Sequence, residues 1–342
     1  MGYRYIGSKA RISEEILSYI GKPEKEGFFI DAFSGTGVVG ETACDFGWNV
    51  HVNDMLKSAS IMSESRLISE MEAEYLFNNG LDNTINCLND LQGIEGFFWR
   101  EYSPASIQTV GIGRQYFTET NAKKIDAIIS QIKIWKARGD INAKEESVLY
   151  ASLMLATNDV ANIAGTYGCF LSNWTKQAMN DICLRPIKLK KDRKKYVCTN
   201  IDVFQIESTE NDLVYLDPPY TKRQYASYYH ILESIVMGDA PMVEGVSGLR
   251  PWKDKASVFC YKRKALDALV ELITKQKAYR VVVSYSDDGH IVLDELLHRL
   301  QEWGSAELVE ISTIGRYTPN KTAINNKTDV KEYLVDFRKG IK

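Results

Sequence analysis

The run Leu213-Val214-Tyr215-Leu216 has the length and apolar composition of a buried parallel strand, and the Asp217-Pro218-Pro219-Tyr220 that follows forbids the strand to continue. The chain must stop there, turn, and present a carboxylate, free carbonyls and an aromatic ring at the carboxyl edge of a sheet. In open α/β sheets that edge is where ligands bind. A carboxylate and a proline carbonyl accept N–H bonds and a ring stacks, so the set suits a planar group carrying an amino function.

Other strand candidates alternate with helical patterns. Gly27 to Asp31 reads as a first strand, and Ala32-Phe33-Ser34-Gly35-Thr36-Gly37-Val38-Val39-Gly40 turns into a helix. Val50 to Asn53 is a second strand and ends at Asp54; Tyr196 to Ile201 is a third and ends at Asp202-Val203; Arg280 to Tyr285, Ala306 to Ile314 and Lys331 to Phe337 follow the fourth. Seven strands, five alternating with helices and two consecutive at the end, predict an α/β fold: a doubly wound, mostly parallel sheet finished by an antiparallel pair. Gly35, Gly37 and Gly40 spell the GxGxxG of dinucleotide sites, with Asp54 at the ribose position. Asp31 opposes that reading, because it would face a pyrophosphate with nothing basic nearby in sequence. S-adenosylmethionine carries an ammonium and a sulfonium instead, which a carboxylate stabilises.

From 61 to 195 helical periods dominate, so the sheet is expected to be interrupted by a largely helical insertion, with residues 1–60 and 196–342 forming the two parts of the sheet domain. Near the N-terminus, Gly7-Ser8 reads as the cap of a helix through Ile12, Ile16 and Ile20. Arg114, Asn173, Trp174 and Arg223 lie in polar, aromatic stretches next to basic runs, Arg185 to Lys195 and Arg250 to Lys264, which fits either a solvated face or backbone contact and base stacking on nucleic acid. A net charge of -3 gives no general affinity for polyanions, so a DNA face must come from local clustering. The six cysteines contain no CxxC pair and the four histidines form no metal-ligand motif, which leads us to expect free thiols, a reducing cytoplasm and no metal. No apolar run reaches the ~20 residues of a membrane span, and no signal-like stretch is present.

Taken in order, Ile6-Gly7-Ser8-Lys9, Asp31 to Gly37, Asp54, Asp202 and Asp217 to Tyr220 resemble the D12, or alpha, class of adenine-specific DNA N6-methyltransferases, the Dam-like enzymes and more closely those of FokI-type restriction systems. Asn162 to Trp174 and Tyr220 to Glu233 are similar to the FokI-type group as well. The resemblance implies a Rossmann-like methyltransferase with a target-recognition insertion, using S-adenosylmethionine on double-stranded DNA beside a cognate restriction endonuclease. It places Tyr5, Gly7, Ser8 and Lys9 by the methionine end of the cofactor, and Asp31, Phe33, Ser34, Gly35 and Gly37 along it. Asp54 falls at the ribose, Asp202 and Val203 at the adenine. It implies that Asp217 and Pro218 accept the N6 hydrogens of an adenine flipped out and stacked on Tyr220, and that Arg114, Asn173, Trp174 and Arg223 touch DNA. Val203 stands where several relatives carry Phe. Three alternatives stay open: an RNA guanine-N2 methyltransferase, which also uses Asp-Pro-Pro-Tyr; a catalytically silent DNA-binding subunit of a methyltransferase pair; and a nicotinamide dehydrogenase.

Overall fold

The computed structural model describes residues 3–72, 80–314 and 330–340. The chain divides into two compact units. One comprises Gly7–Ser63, Arg193–Tyr225 and Lys255–Lys342, the other Met1–Ile6, Glu64–Asp192 and Ala226–Asp254.

The first unit holds the sheet: β1 (Phe28–Asp31), β2 (Asn49–Asn53), β3 (Tyr196–Thr199), β4 (Leu213–Leu216), β5 (Arg280–Ser286), β6 (Gly304–Ile314) and β7 (Val330–Lys339). Their order is β3-β2-β1-β4-β5-β7-β6. β1 to β5 run parallel, so their carboxyl ends share one edge, while β7 enters antiparallel between β5 and β6. This is the seven-stranded, mostly parallel α/β sheet that the sequence leads us to expect. All four residues of β4 and all seven of β5 are buried, as near-continuous apolar strands covered on both faces require. Helix Lys262–Lys275 packs one apolar face, including Leu269, Leu272 and Ile273, onto Val214, Leu216, Val281 and Val283.

β3 ends earlier than its sequence pattern suggests. At Asn200 the chain leaves the ladder, and the Asn53 side chain replaces the lost pairing: its Oδ1 accepts from Ile201 N at 3.1 Å and Thr199 Oγ1 at 2.8 Å, while its Nδ2 donates to the carbonyls of Ala32 and Ile201. One buried amide thus ties together the carboxyl ends of three strands.

In the second unit the long helices are Glu119–Arg138 and Ala143–Val160. Thr118 caps the former and Gly139, at φ 78°, ends it in the left-handed conformation. Asn142 and Glu145 form a reciprocal capping box at the start of the latter. Ala143–Val160 is buried on most of its circumference, as a central helix must be. None of the described helices is long and apolar enough to cross a membrane.

A buried ion pair locks the sheet to its first helix, Ser13–Ile20. Arg280 of β5 places two nitrogens on Asp336 of β7, at 2.7 Å for Nη2 and 3.0 Å for Nε to Oδ2, and gives Nη1 to the carbonyl of Ile20 at 2.8 Å. Tyr19 donates to the same carboxylate at 2.8 Å. Removing one partner of such a pair strands a buried charge, so Asp336→Ala should cost about 3–5 kcal/mol in urea unfolding. A loss below ~1 kcal/mol, the level of an exposed pair, would show that the pair does not lock the helix.

Candidate active site

At the carboxyl end of β4 the two prolines end the strand as their chemistry requires. Tyr220 is fixed by its carbonyl, which accepts from His290 N at 2.8 Å, and by an edge-on contact with Tyr285 at 5.2 Å between ring centres. Its hydroxyl donates to Asp217 Oδ1 at 3.0 Å. Gly7-Ser8 does not cap the first helix. That helix begins at Ser13 with Ile12 as N-cap, and a turn closed by Ile12 N to the Lys9 carbonyl at 2.9 Å folds Lys9 inward. The Lys9 side chain is 4% exposed; its ammonium lies 3.0 Å from Asp217 Oδ1 and 2.9 Å from Glu332 Oε1, and donates to the Tyr220 hydroxyl. Its ammonium is therefore engaged within the protein by two carboxylates and a hydroxyl. Asp217 Oδ2 accepts no bond from any described residue, and none donates to the Pro218 carbonyl.

Charge in this cluster is unbalanced. Burial pushes the Asp217 carboxyl up, Lys9 pulls it down and Glu332 pushes it up again, to about 6. For Lys9 burial acts downward, but Asp217 and Glu332 outweigh it and hold the ammonium well above its ordinary range.

Asp31 ends β1 next to the glycine turn. Its Oδ2 accepts from Gly40 N at 3.1 Å, while its Oδ1 is buried without a partner. Burial first, then repulsion by Asp217 and Asp54, pushes its carboxyl up to about 8. Gly37 turns at φ 77°, and a Cβ there would lie 2.5 Å from the Cα of Ser63, so no other residue fits. Asp54 pins this turn: Oδ2 accepts from Gly35 N at 3.0 Å and Oδ1 from Leu56 N at 2.9 Å. Ser34 is fixed by the Ser63 hydroxyl at 2.8 Å. The orphaned carboxylate oxygen, the glycine turn and the excess of buried negative charge fit a ligand bearing positive charge and not a pyrophosphate.

Asp202 is exposed and caps the short turn Val203–Gln205, its Oδ1 accepting from Phe204 N at 2.9 Å. Val203 is buried in the core. Nearby, Phe204 stacks on Phe259 at 6.0 Å, and Phe33 meets Phe259 edge-on at 5.4 Å. Sequence reasoning missed Phe259, Asn53 and Glu332. Only Asn53, at a strand end, carried a local signal.

Tyr5 belongs to the other unit, where its ring stacks on Tyr229 at 4.1 Å. Arg114 is a correction. It is 2% exposed, and its guanidinium is used on Glu101 Oε2 at 2.9 Å and on the carbonyls of Glu101, Gly245 and Val246, so it holds a loop and offers nothing to DNA. Arg250 is likewise spent on Asp239, at 2.8 and 3.2 Å. Asn173 is exposed and Trp174 half-buried on a loop that Asn162 braces through Leu171 and Thr175. Arg223, in the sheet unit, is exposed. Arg193 of the first basic run pairs with Glu41 and Asp45, at 2.9 and 3.1 Å, before β3 begins. It therefore lies at the end of the strands opposite to Asp217.

Sheet order, glycine turn and strand-end carboxylates define a methyltransferase of the Rossmann-like class. The chain matches the D12 class N6 adenine-specific DNA methyltransferases over residues 5–287 and belongs to that family. It is 32% identical to the type II methyltransferase M.FokI of Planomicrobium okeanokoites, over 99% of this chain and 53% of that protein. It is 31% identical to the modification methylase StsI of Streptococcus sanguinis, over 97% and 51%. It is also 30% identical to the type II methyltransferase M.NlaIII of Neisseria lactamica, over 94% of each. The chain thus spans about half the length of the first two relatives. The family implies S-adenosylmethionine as methyl donor.

The Asp31 carboxyl titrates higher in the folded chain than in the unfolded one. Its contribution to stability is fully present below the ordinary carboxylate value of 3.8 and is lost as pH rises through about 8. Asp31→Asn removes that loss. The melting temperature of the variant minus that of the ligand-free wild type should grow from pH 5 to pH 8, and parallel curves would refute the assignment.

Proposed function

We propose that this chain transfers a methyl group from S-adenosylmethionine to N6 of an adenine flipped out of double-stranded DNA. The observation that carries the reading is the state of Asp217: Oδ1 is held by Lys9 and Tyr220, while Oδ2 has no donor among the described residues. Oδ2 and the Pro218 carbonyl then accept the two hydrogens of an exocyclic amine, leaving the nitrogen lone pair free, and the carboxylate stabilises the positive charge that develops on nitrogen. Family membership and the names of the relatives support adenine in DNA over guanine in RNA.

When bound, the cofactor supplies a methyl group made electrophilic by a sulfonium. Asp31 would take its ammonium on the orphaned Oδ1, Asp54 and the glycine turn its ribose, and Phe33, Phe204 and Phe259 would line its adenine, with Asp202 at the amino group. Tyr220, already fixed by Tyr285 and His290, offers its ring to the extruded base. For the second unit we propose target recognition, with Asn173 and Trp174 at the DNA, and Arg223 as a contact from the sheet unit. Arg114 serves instead as the brace of the 245–248 loop. The relatives' type II names support a restriction-modification role with a cognate endonuclease, and the six free cysteines fit a reducing cytoplasm.

Asp217→Ala should abolish N6-methyladenine formation, measured by nucleoside mass spectrometry on duplex DNA, while calorimetric binding of S-adenosylmethionine survives. Methylation near the wild-type rate in that variant would exclude the mechanism, and a product other than N6-methyladenine would exclude the substrate.

A further inference from the structure

Glu332 lies beyond the residues 5–287 that match the family, on the strand that runs against the rest of the sheet. Its carboxylate is nonetheless buried in the site, accepting from Ser284 Oγ at 2.5 Å and pairing with Lys9 at 2.9 Å. We infer that Glu332 is a positioning residue for methyl transfer: it holds the Lys9 ammonium on Asp217 Oδ1 and so keeps Oδ2 available to the amino group. This rests on the proposed function.

Two properties of the cluster require a second carboxylate. A lysine ammonium is a point charge on a flexible stem, and facing Asp217 alone it could bridge both oxygens. Drawn from the other side by Glu332, itself fixed by Ser284, it stays on Oδ1. A single buried ammonium would also neutralise a single buried carboxylate, leaving little charge to stabilise a cationic nitrogen. Sharing it between Asp217 and Glu332 leaves net negative charge where that nitrogen forms.

The groups facing Asp217 are Lys9 from the N-terminal turn, Glu332 from β7, Tyr215 from β4, Asp31 from β1 and Tyr220 of its own turn. Among them Glu332 raises the Asp217 carboxyl and Lys9 lowers it. Glu332→Gln removes the raising influence and leaves the lowering one.

Two measurements on the full chain test this. In the ligand-free protein, the selectively 13C-labelled Asp217 carboxyl, assigned with Asp217→Asn, should titrate near 6 in the wild type. In Glu332→Gln it should titrate lower by about half a pH unit or more. In methylation assays Glu332→Gln should lower kcat about 10- to 100-fold with little change in the KM for S-adenosylmethionine. The acid limb of kcat/KM should move to lower pH in step with the titration, which a merely structural role would not cause. An unmoved midpoint, or a wild-type kcat, overturns the inference. Should Glu332→Gln fail to fold, Glu332→Asp keeps the charge with a shorter reach: it should keep the wild-type midpoint and lower kcat, and a wild-type kcat would again overturn the inference. If the wild-type chain methylates no adenine, the proposed function falls, while the titration still decides whether Glu332 sets the charge of Asp217.

Discussion

One buried ammonium, shared by two buried carboxylates, organises the carboxyl edge of this sheet. Lys9 reaches Asp217 from a turn at the start of the chain and Glu332 from its last described strand. Removing such groups from water is costly, and the attraction offsets that cost only where hydrogen bonds complete it. Here they do so in part, through Tyr220 on one carboxylate and Ser284 on the other. The arrangement still falls one positive charge short, and Asp31 adds a further carboxyl on the neighbouring strand. Burial and repulsion push Asp31 to about 8 and Asp217 to about 6, so the side chains of the site oppose negative charge there and favour a cationic ligand.

Sheet topology makes this concentration of charge feasible. Parallel β1 and β4 are direct neighbours, so their carboxyl ends share one edge whatever the intervening sequence: Asp31 is in register with Tyr215, two residues before Asp217. β7 enters beside β5 from the opposite direction, and its first residues therefore lie at the same edge: Glu332 is paired with Ser286 at the carboxyl end of β5. An extra parallel strand would have brought its amino end to the far side of the sheet. The antiparallel entry is thus what lets residues late in the chain reach the site, while Asp336, four residues further along β7, anchors the sheet through Arg280.

What could be read from the sequence and what could not divide along a physical line. Prolines and glycines act on their own backbone, so Pro218-Pro219 marked the end of β4, and Gly35 and Gly37 the turn after β1, before any tertiary contact was known. Apolar runs gave the strands for the same reason, although β3 was drawn too long because Asn53, distant in sequence, ends it. Long-range pairing left no local trace. Nothing around Glu332 distinguishes it from a solvated strand glutamate, and Lys9 beside Gly7-Ser8 looks like part of a helix cap. Arg114 erred in the other direction. Among Gly, Gln and Tyr it has the composition of a DNA-contacting loop, and only burial shows that its guanidinium is committed, through four bonds, to Glu101 and the 245–248 turn. Phe259 and Phe33 form a ring cluster that no local sequence feature announced.

These misreadings share a cause that bears on how such a site is built. A charged residue advertises the same chemistry whether its partner is a ligand or the protein itself, and the structure distinguishes the two by counting unspent donors and acceptors. By that count Lys9, Arg114 and Arg250 are internal. Asp31 Oδ1 and Asp217 Oδ2 are two carboxylate oxygens of the site that no described residue satisfies. Both are acceptors at adjacent strand ends, and both belong to groups whose negative charge the surroundings oppose. A pyrophosphate would aggravate that opposition. An ammonium or sulfonium at Asp31 and an amine turning cationic at Asp217 would relieve it, and the second appears only as the reaction proceeds. The opposition of charges within the site is therefore directed at the transition state, which is the condition for charge burial to assist turnover and not merely binding.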